Sequence, residues 1–172
     1  MENNKILFAK SREDVIIPTK TNENAGYDLY ANFDDFYEVI EPQQTVVLNT
    51  GLHTAFSPDF VAIVKERGST IKVSFDIRAG VIDSGYRGEW KIAITNDSND
   101  FVVISKLDEK ETINWAFGNH KPENVKIYPY SKAIAQFIMV EVPRMESKEI
   151  SLDELQAIPS ERGAGRFGSS GK

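Results

Sequence analysis

Short apolar and β-branched runs, separated by turn-forming residues, dominate this sequence and restrict it to folds built from many small strands. Pro, Gly, Asn and Asp interrupt the runs at close intervals, as at 41–44 and 96–100. This spacing is typical of antiparallel sandwiches and barrels, so we predict an all-β domain. The clearest predicted strands are KILFAK (5–10), TVVLNTGLHTAF (45–56), FVAIVKER (60–67), KIAITN (91–96), FVVISK (101–106) and AIAQFIMVEV (133–142).

Local signals add one central strand and two short helices to this prediction. Both faces of the run 61–64 are apolar, which indicates a strand with neighbours on both sides. Asp108 followed by Glu111, with Gly118 as a stop, predicts a helix between them. Ser151 and Glu154 have the spacing of a capping box, and Pro159 would end a helix that begins there.

Composition excludes several classes of protein. The chain has 172 residues, which fits one domain, and its net charge of −6 argues against a general nucleic-acid binder. It has no cysteine, which excludes disulfides and thiolate metal sites. No run approaches the roughly 18 apolar residues of a membrane span, and the first residues lack an export-signal pattern. We therefore predict a cytoplasmic protein that binds neither membranes nor nucleic acid.

The last residues, 160–172, differ from the rest of the chain. They hold one large apolar side chain, Phe167, among glycines and the cations Arg162, Arg166 and Lys172. Such a segment cannot bury enough apolar surface to offset the entropy of ordering it. We predict a β domain over residues 1–159 and a flexible C-terminal arm over 160–172, which an anionic ligand would organise.

Four further segments place polar groups at strand ends. AGYDLYA (25–31) delivers Asp28 after a glycine turn, and ERGST (66–70) combines an arginine with hydroxyls and backbone amides, the donors that phosphate oxygens accept from. AGVIDSGYRGE (79–89) is typical of a hairpin whose tip carries Asp83 and Tyr86. Gln136 interrupts an apolar strand and needs either a structural partner or a ligand. Taken singly, each segment is equally compatible with an ordinary surface turn or strand.

In this order, these four segments and ERGAGRFGSSG (161–171) resemble the five motifs of the trimeric dUTP diphosphatases, the dUTPase family. The resemblance covers residues 25 to 171. It implies a distorted jelly-roll-like β-barrel and a homotrimer that hydrolyses dUTP to dUMP and pyrophosphate with Mg²⁺. Each active site would be shared among three chains, with the arm of one closing over the site of another.

The resemblance also implies roles for individual residues. Asp83 would activate the water that attacks the α-phosphorus, and Tyr86 would stack on the deoxyribose. The backbone of Gly80, Val81 and Ile82 would bind the uracil edge. Mg²⁺ would be held by the phosphates and by water, with no direct protein ligand and with Asp28 at most touching its waters. The residues implied to contact or cover the nucleotide are Arg67, Gly68, Ser69 and Gln136 in the body, and Arg162, Phe167, Gly168, Ser169 and Ser170 in the arm.

Among the departures from the family pattern, two bear most on the site and the fold. Gly68 stands where relatives have a hydroxyl beside the arginine, so Ser69 must serve or that contact is lost. The stretch 99–129 is longer than compact relatives need, and its aromatic residues predict a small folded lobe of strand–helix–strand form. Similar insertions occur in the dUTP diphosphatases of phages of Gram-positive bacteria, and this resemblance indicates a phage or prophage origin. The lobe either packs on its own barrel or offers a docking surface for a regulatory protein.

Three other functions remain open at this point. A dCTP deaminase shares the fold but would release ammonia and retain the triphosphate. A regulatory protein that senses dUTP would act through the insertion with or without catalysis. RGAGRFGSSG would also suit an RNA-binding arm. Zinc chemistry is poorly supported, since His53 and His120 are the only histidines and cysteine is absent.

Overall fold

Twelve short strands, a 3₁₀ helix and two short α-helices form the regular structure of residues 5–163, the part of the chain that the computed structural model describes. The all-β prediction is confirmed. The strands are β1 (Leu7–Lys10), β2 (Tyr27–Leu29), β3 (Tyr37–Ile40), β4 (Thr45–Asn49), β5 (Leu52–Ala55), β6 (Phe60–Lys65), β7 (Phe75–Arg78), β8 (Val81–Ile82), β9 (Lys91–Asn96), β10 (Phe101–Ser105), β11 (Val125–Pro129) and β12 (Ala135–Glu141). The helices are the 3₁₀ helix (Gly68–Val73), α1 (Glu109–Phe117) and α2 (Leu152–Gln156).

The strands are arranged in four small sheets, and the largest of them positions the site described below. Its order is β2–β12–β6–β8, with every pair antiparallel. β6 therefore has a neighbour on each side, as its apolar pattern predicts, and Ala62 and Val64 are buried. The other sheets have the orders β4–β9–β7, β11–β10–β3 and β1–β5.

Aromatic side chains join the sheets in the core. Phe137 of β12 is fully buried, and its ring lies 5.0 Å from that of Trp90 and 4.9 Å from that of Tyr27. Edge-to-face and offset stacked rings at these distances add roughly 0.5–1.5 kcal/mol per pair beyond the burial of their area. β12, which carries Gln136, is therefore fixed firmly in the interior.

The stretch 99–129 forms the predicted strand–helix–strand, but it is built into a sheet and is not a lobe beside the barrel. β10 lies between β11 and β3, and Val102, Val103 and Ile104 are fully buried. β10 and β11 run parallel, so their connection must cross over, and α1 provides that crossover. A hydrogen bond of 2.7 Å between the hydroxyls of Ser105 and Thr112 fixes the helix to β10.

Both predicted helices are present, with the predicted caps. The Asp108 side chain accepts the Glu111 amide at 2.8 Å, and α1 ends at Gly118, whose φ is +55°. Ser151 and Glu154 form the predicted capping box of α2. Within residues 5–163, every helix is too short or too polar to span a bilayer.

The first compact unit of the chain ends at Val142, and a second begins at Pro143, whereas the sequence places a boundary at 159/160. The physical reason is that β12, the last strand of the body, ends at Glu141. Beyond it the apolar side chains are exposed within the described residues, including Met145, Leu152, Leu155 and Ile158. The boundary at 159/160 rests on the glycine-rich and cationic composition that begins at Ser160, and it stays a prediction.

The turn that connects β9 to β10 depends on one buried amide, that of Asn96. Its Nδ2 donates to the carbonyls of Ile40 (3.1 Å), Glu41 (3.1 Å) and Asp100 (2.7 Å).

We expect Asn96→Ala to lower the free energy of unfolding by about 2–4 kcal/mol, because buried acceptors lose their partner. Urea unfolding measures this change. Asn99→Ala, an exposed residue of the same turn, is the control and should change stability by less than about 0.5 kcal/mol; equal effects would contradict the assignment.

Candidate active site

An open pocket of about 490 Å³ lies where β2, β6 and β12 end beside one another. Register explains the convergence, because Gln136 of β12 pairs with Asp28 of β2 on one side and with Lys65 of β6 on the other. The chain then leaves β6 and enters the 3₁₀ helix through Arg67. The pocket is lined by Thr19, Glu23, Asn24, Ala25, Gly26, Asp28, Arg67, Gly68, Ser69 and Gln136.

The guanidinium of Arg67 is fixed by three hydrogen bonds to two side chains of the pocket. Its Nε and Nη2 each lie 2.9 Å from one oxygen of Asp28, a bidentate pair, and its Nη1 donates to Ser69 Oγ at 3.1 Å. The two charged side chains are 27% and 34% exposed, so the pair is half-buried. Arginine has five N–H donors. One N–H of Nη2 therefore remains for a ligand, and the Ser69 hydroxyl, which accepts from Arg67, keeps its own proton to donate.

Gln136 has the structural partner that its apolar surroundings require. Its Nε2 donates to the Glu66 carbonyl at 2.7 Å, which ties β12 to the end of β6. A Cβ on Gly26 would lie 2.4 Å from Gln136 Oε1, so the glycine of the first motif makes room for this amide. The second N–H of Nε2 remains in a side chain that lines the pocket. A structural bond and a ligand contact are thus compatible in the same residue.

Tyr128 supports the pocket from behind, and the sequence did not identify it. Its hydroxyl donates to the Ala133 carbonyl at 2.6 Å, and Arg67 Nη1 approaches the same carbonyl at 3.4 Å. Burial raises the pKa of the Tyr128 phenol, so the hydroxyl remains a donor at neutral pH. Tyr128 lies in the stretch that the sequence assigned to an insertion, and a tyrosine at a strand end carries no local signal of this contact.

The second set of predicted residues lies at the hairpin tip. The Val64 amide donates to the Gly80 carbonyl at 2.7 Å, and Val81 and Ile82 pair with Ile63 and Ala62. The Tyr86 amide donates to the Asp83 carbonyl at 3.1 Å and closes the turn.

Asp83 and Tyr86 both face outward from this turn. The Asp83 side chain is exposed, and no donor within residues 5–163 hydrogen-bonds its carboxylate. The Tyr86 hydroxyl donates to the Glu89 carbonyl at 3.1 Å, while its ring lies over Gly88, where a Cβ would come within 2.4 Å of the hydroxyl oxygen. Tyr86 is 46% exposed, which leaves ring surface available for a ligand. The turn thus presents a free carboxylate and an oriented aromatic ring.

These two sets lie at opposite ends of β6. Ile82 pairs with Ala62, so Asp83 lies beside Val61, whereas Arg67 is six residues further along the chain. Six extended residues span roughly 20 Å. One phosphate cannot contact Arg67 directly and Asp83 through one water across that distance, since hydrogen bonds are about 3 Å long. Within one chain the structure therefore joins Asp28, Arg67, Gly68, Ser69 and Gln136, and separately joins Gly80, Val81, Ile82, Asp83 and Tyr86.

The predicted arm residues complete the set. Arg162 is exposed. Phe167, Gly168, Ser169 and Ser170 lie outside the described residues, so their roles stay predictions.

Comparison with known proteins identifies relatives that span both sets of residues. A family model described as dUTPase matches residues 12–109. The deoxyuridine 5'-triphosphate nucleotidohydrolase of Nautilia profundicola is 31% identical over 98% of this chain and 99% of its own. The dUTPase of Staphylococcus bacteriophage 80alpha, solved with dUPNHPP, has a TM-score of 0.70 at 26% identity and covers 98% of this chain and 99% of that one.

A second phage structure resembles the chain in fold. The dUTPase of phage phi11 of S. aureus, a structure that visualises a species-specific insert, has a TM-score of 0.66 at 21% identity. It covers 86% of this chain and 96% of its own. The 80alpha structure, at 26% identity, is consistent with the predicted phage or prophage origin, whereas the phi11 structure shows a likeness of fold alone.

Two glycines of the hairpin provide a matched test of how closely the tip is packed against β6. A Cβ on Gly80 would lie 2.5 Å from the Val64 carbonyl oxygen, which is backbone and cannot move alone, whereas a Cβ on Gly85 would meet nothing within 4 Å. We expect Gly80→Ala to cost about 1–3 kcal/mol of unfolding free energy, and Gly85→Ala less than about 0.5 kcal/mol. Chemical denaturation measures both. A Gly80→Ala protein as stable as the Gly85→Ala protein would show that the hairpin is not held in this way.

Proposed function

The chain belongs to the dUTPase family, and on that premise we propose that it hydrolyses dUTP to dUMP and pyrophosphate. We propose further that it works as a homotrimer. The observation that carries the proposal is the separation of the two sets of site residues along β6. Because the backbone positions of Asp83 and Arg67 are roughly 20 Å apart along β6 in one chain, a complete site requires the hairpin of one subunit beside the pocket of another.

Asp83 is the general base in this proposal. Its carboxylate is exposed and has no hydrogen-bond donor within residues 5–163, so it is free to accept a proton from a water. The water oxygen bonds to the α-phosphorus, the bond from that phosphorus to the bridging oxygen of the β-phosphate breaks, and pyrophosphate leaves. Little covalent chemistry falls to the protein, so positioning of water and phosphate provides most of the rate.

The free edge of β8 supports selection for uracil. β8 is the last strand of its sheet, and Gly80 and Ile82 face β6. Alternate residues of a strand direct their N–H and C=O to opposite sides, so those of Val81 point to the open edge. A donor and an acceptor there match the O4 and N3–H of uracil, whereas cytosine presents the reverse pattern and would leave buried groups unpaired. Tyr86 stacks against the deoxyribose and leaves no room for a 2′-hydroxyl.

The pocket supplies donors for the phosphates. Ser69 takes the part of the hydroxyl that relatives have next to the arginine, since it lies against Arg67 at 3.1 Å and lines the pocket. Steric conflict does not explain the glycine at 68, because a Cβ there would meet nothing within 4 Å. Arg67 and Gln136 each keep an N–H for phosphate oxygens, and hydrogen bonds to a charged acceptor contribute about 1.5–3 kcal/mol each.

The described residues fit a magnesium ion that the nucleotide carries. No group of three or more His, Asp or Glu side chains able to hold a metal is found in residues 5–163. Mg²⁺ keeps several waters and binds phosphates in such sites, where it supplies neutralisation of negative charge. Both Asp28 oxygens are bonded to Arg67 yet retain lone pairs, so Asp28 is suited to accept hydrogen bonds from metal-bound waters.

The arm completes the proposed site. Arg162 would contact the γ-phosphate, Phe167 would cover the uracil, and Gly168, Ser169 and Ser170 would wrap the triphosphate. The cationic and hydroxyl groups of this segment suit an anionic ligand. Closure of such a lid excludes bulk water from the reacting phosphate.

Two other functions have distinct signatures. A dCTP deaminase would release ammonia and not pyrophosphate. A partner-binding role of the inserted segment stays a prediction; the observation that favours it is the exposed pair of Phe36 and Trp115, whose rings lie 5.9 Å apart.

Pyrophosphate release from dUTP, compared with dCTP, UTP and dTTP and with or without Mg²⁺, separates hydrolysis from deamination. Ammonia release from dCTP without pyrophosphate from dUTP would overturn the proposal.

Replacement of the proposed base tests the mechanism directly. We expect Asp83→Asn to lower kcat by at least about 10³-fold, because an amide cannot accept the proton, while dUPNHPP binds with its affinity changed less than about tenfold. Stopped-flow pyrophosphate release and calorimetry measure the two quantities. Asp35→Asn, an exposed acid outside both sets, is the control and should retain the wild-type kcat. Wild-type kcat in Asp83→Asn would exclude residue 83 as the base.

A further inference from the structure

Arg87 binds the turn that carries Asp83 and Tyr86. Its Nη1 lies 2.6 Å from the carbonyl of Ser84, 3.1 Å from that of Tyr86 and 3.3 Å from that of Thr54. Two of these carbonyls belong to the turn, and the third belongs to β5. One cationic nitrogen therefore connects the turn to a neighbouring strand, and hydrogen bonds from a charged donor are the stronger kind.

His53 holds the same residue from the other side. Its Nδ1 lies 3.0 Å from the Arg87 carbonyl. A carbonyl can only accept, so Nδ1 carries the proton and donates. His53 and Thr54 are consecutive residues of β5, and both contact Arg87. The His53 side chain binds the Arg87 carbonyl, and the Thr54 carbonyl accepts from the Arg87 side chain.

β5 is a rigid support for these contacts. The fully buried Trp90 donates from its indole Nε1 to Thr54 Oγ1 at 3.0 Å and from its amide to the Leu52 carbonyl at 2.8 Å. Trp90 in turn packs on Phe137 in the core. The path from the turn through Arg87 to β5 and the core is thus continuous, and each step is a hydrogen bond or a ring contact.

The two sides of the hairpin are held by different strands. Gly80 and the strand after it are hydrogen-bonded to β6. On the other side, the Arg87 side chain binds the Ser84 and Tyr86 carbonyls, and Arg87 itself is hydrogen-bonded to His53 and Thr54 of β5. Loss of the Arg87 bonds would therefore loosen Asp83 and Tyr86 and would leave the backbone of Val81 in register. We therefore expect loss of the Arg87 bonds to affect the rate of hydrolysis and the discrimination between deoxyribose and ribose more than the binding of uracil.

We propose that Arg87 and His53 are positioning residues that hold Asp83 and Tyr86 in place for hydrolysis without touching the nucleotide. This inference rests on the proposed function, because it assigns a purpose to the fixed geometry of those two side chains. A displacement of about 1 Å at a reacting group costs on the order of 10²-fold in rate, so a turn anchored by a few hydrogen bonds has a measurable effect.

Three variants separate this role from a contribution to stability. Arg87→Met keeps the length of the side chain and removes its donors, whereas Arg87→Lys keeps three donors on one nitrogen. We expect Arg87→Met to lower kcat for dUTP about 10–100-fold, with KM changed less than about threefold and with a reduced preference for dUTP over UTP. Arg87→Lys should recover most of kcat. Arg12→Met removes an exposed arginine that pairs with Asp14 and Asp34, and serves as the control with wild-type kcat.

His53→Leu provides a second test in which a single hydrogen bond is lost. We expect a smaller fall in kcat, of about 3–10-fold, and little further loss when it is combined with Arg87→Met, because the two residues act on the same turn. If Arg87→Met does not fold, His53→Leu carries the test alone. Melting temperatures recorded for every variant show that assays are made below unfolding.

The outcomes distinguish the inference from the function on which it rests. A wild-type protein that hydrolyses dUTP, together with an Arg87→Met variant of equal kcat, overturns the positioning role alone. That role is also overturned if Arg87→Lys is no better than Arg87→Met, or if the fall lies in KM and not in kcat. A wild-type protein that does not hydrolyse dUTP overturns the proposed function, and this inference with it.

Discussion

The antiparallel pairing of β6 with β8 on one side and β12 on the other is the constraint on which the rest of the structure depends. It fixes Gln136 beside Lys65 at one end of β6 and Ile82 beside Ala62 near the other. A strand is nearly straight over six residues, so this register holds the carboxylate of Asp83 and the guanidinium of Arg67 apart. The pairing that stabilises the fold thereby keeps each chain from completing its own site.

Electrostatics adds a second constraint on the pocket. Arg67 is paired through two hydrogen bonds with Asp28, so the pair has no net charge, and the chain as a whole has a net charge of −6. A triphosphate gains little long-range attraction from such a surface. In the proposed function, the missing positive charge comes from the metal on the nucleotide and from the arginines of the arm. The pocket itself contributes directed hydrogen bonds.

Much of the fold and part of the site could be predicted from sequence, because their causes are local. The caps of α1 and α2 follow from Asp108 and Ser151 with the glutamate three residues on, and the central position of β6 follows from its two apolar faces. Contacts between distant segments could not be predicted. Tyr128 supports Arg67 only because β11 pairs with β10, which in turn pairs with the distant β3. The bond from Gln136 to the Glu66 carbonyl likewise depends on strand register, which no pattern in either segment specifies.

Mixed assembly of two inactive variants tests the central claim that a site requires two chains. Asp83→Asn lacks the carboxylate and Arg67→Gln lacks the guanidinium, so each homotrimer should be inactive. When the two are co-expressed and assemble at random, a site that takes its hairpin from one chain and its pocket from another is intact in about one quarter of cases. The account predicts dUTP hydrolysis at about a quarter of the wild-type rate in the mixed protein. Activity no greater than the sum of the two separate variants would contradict it.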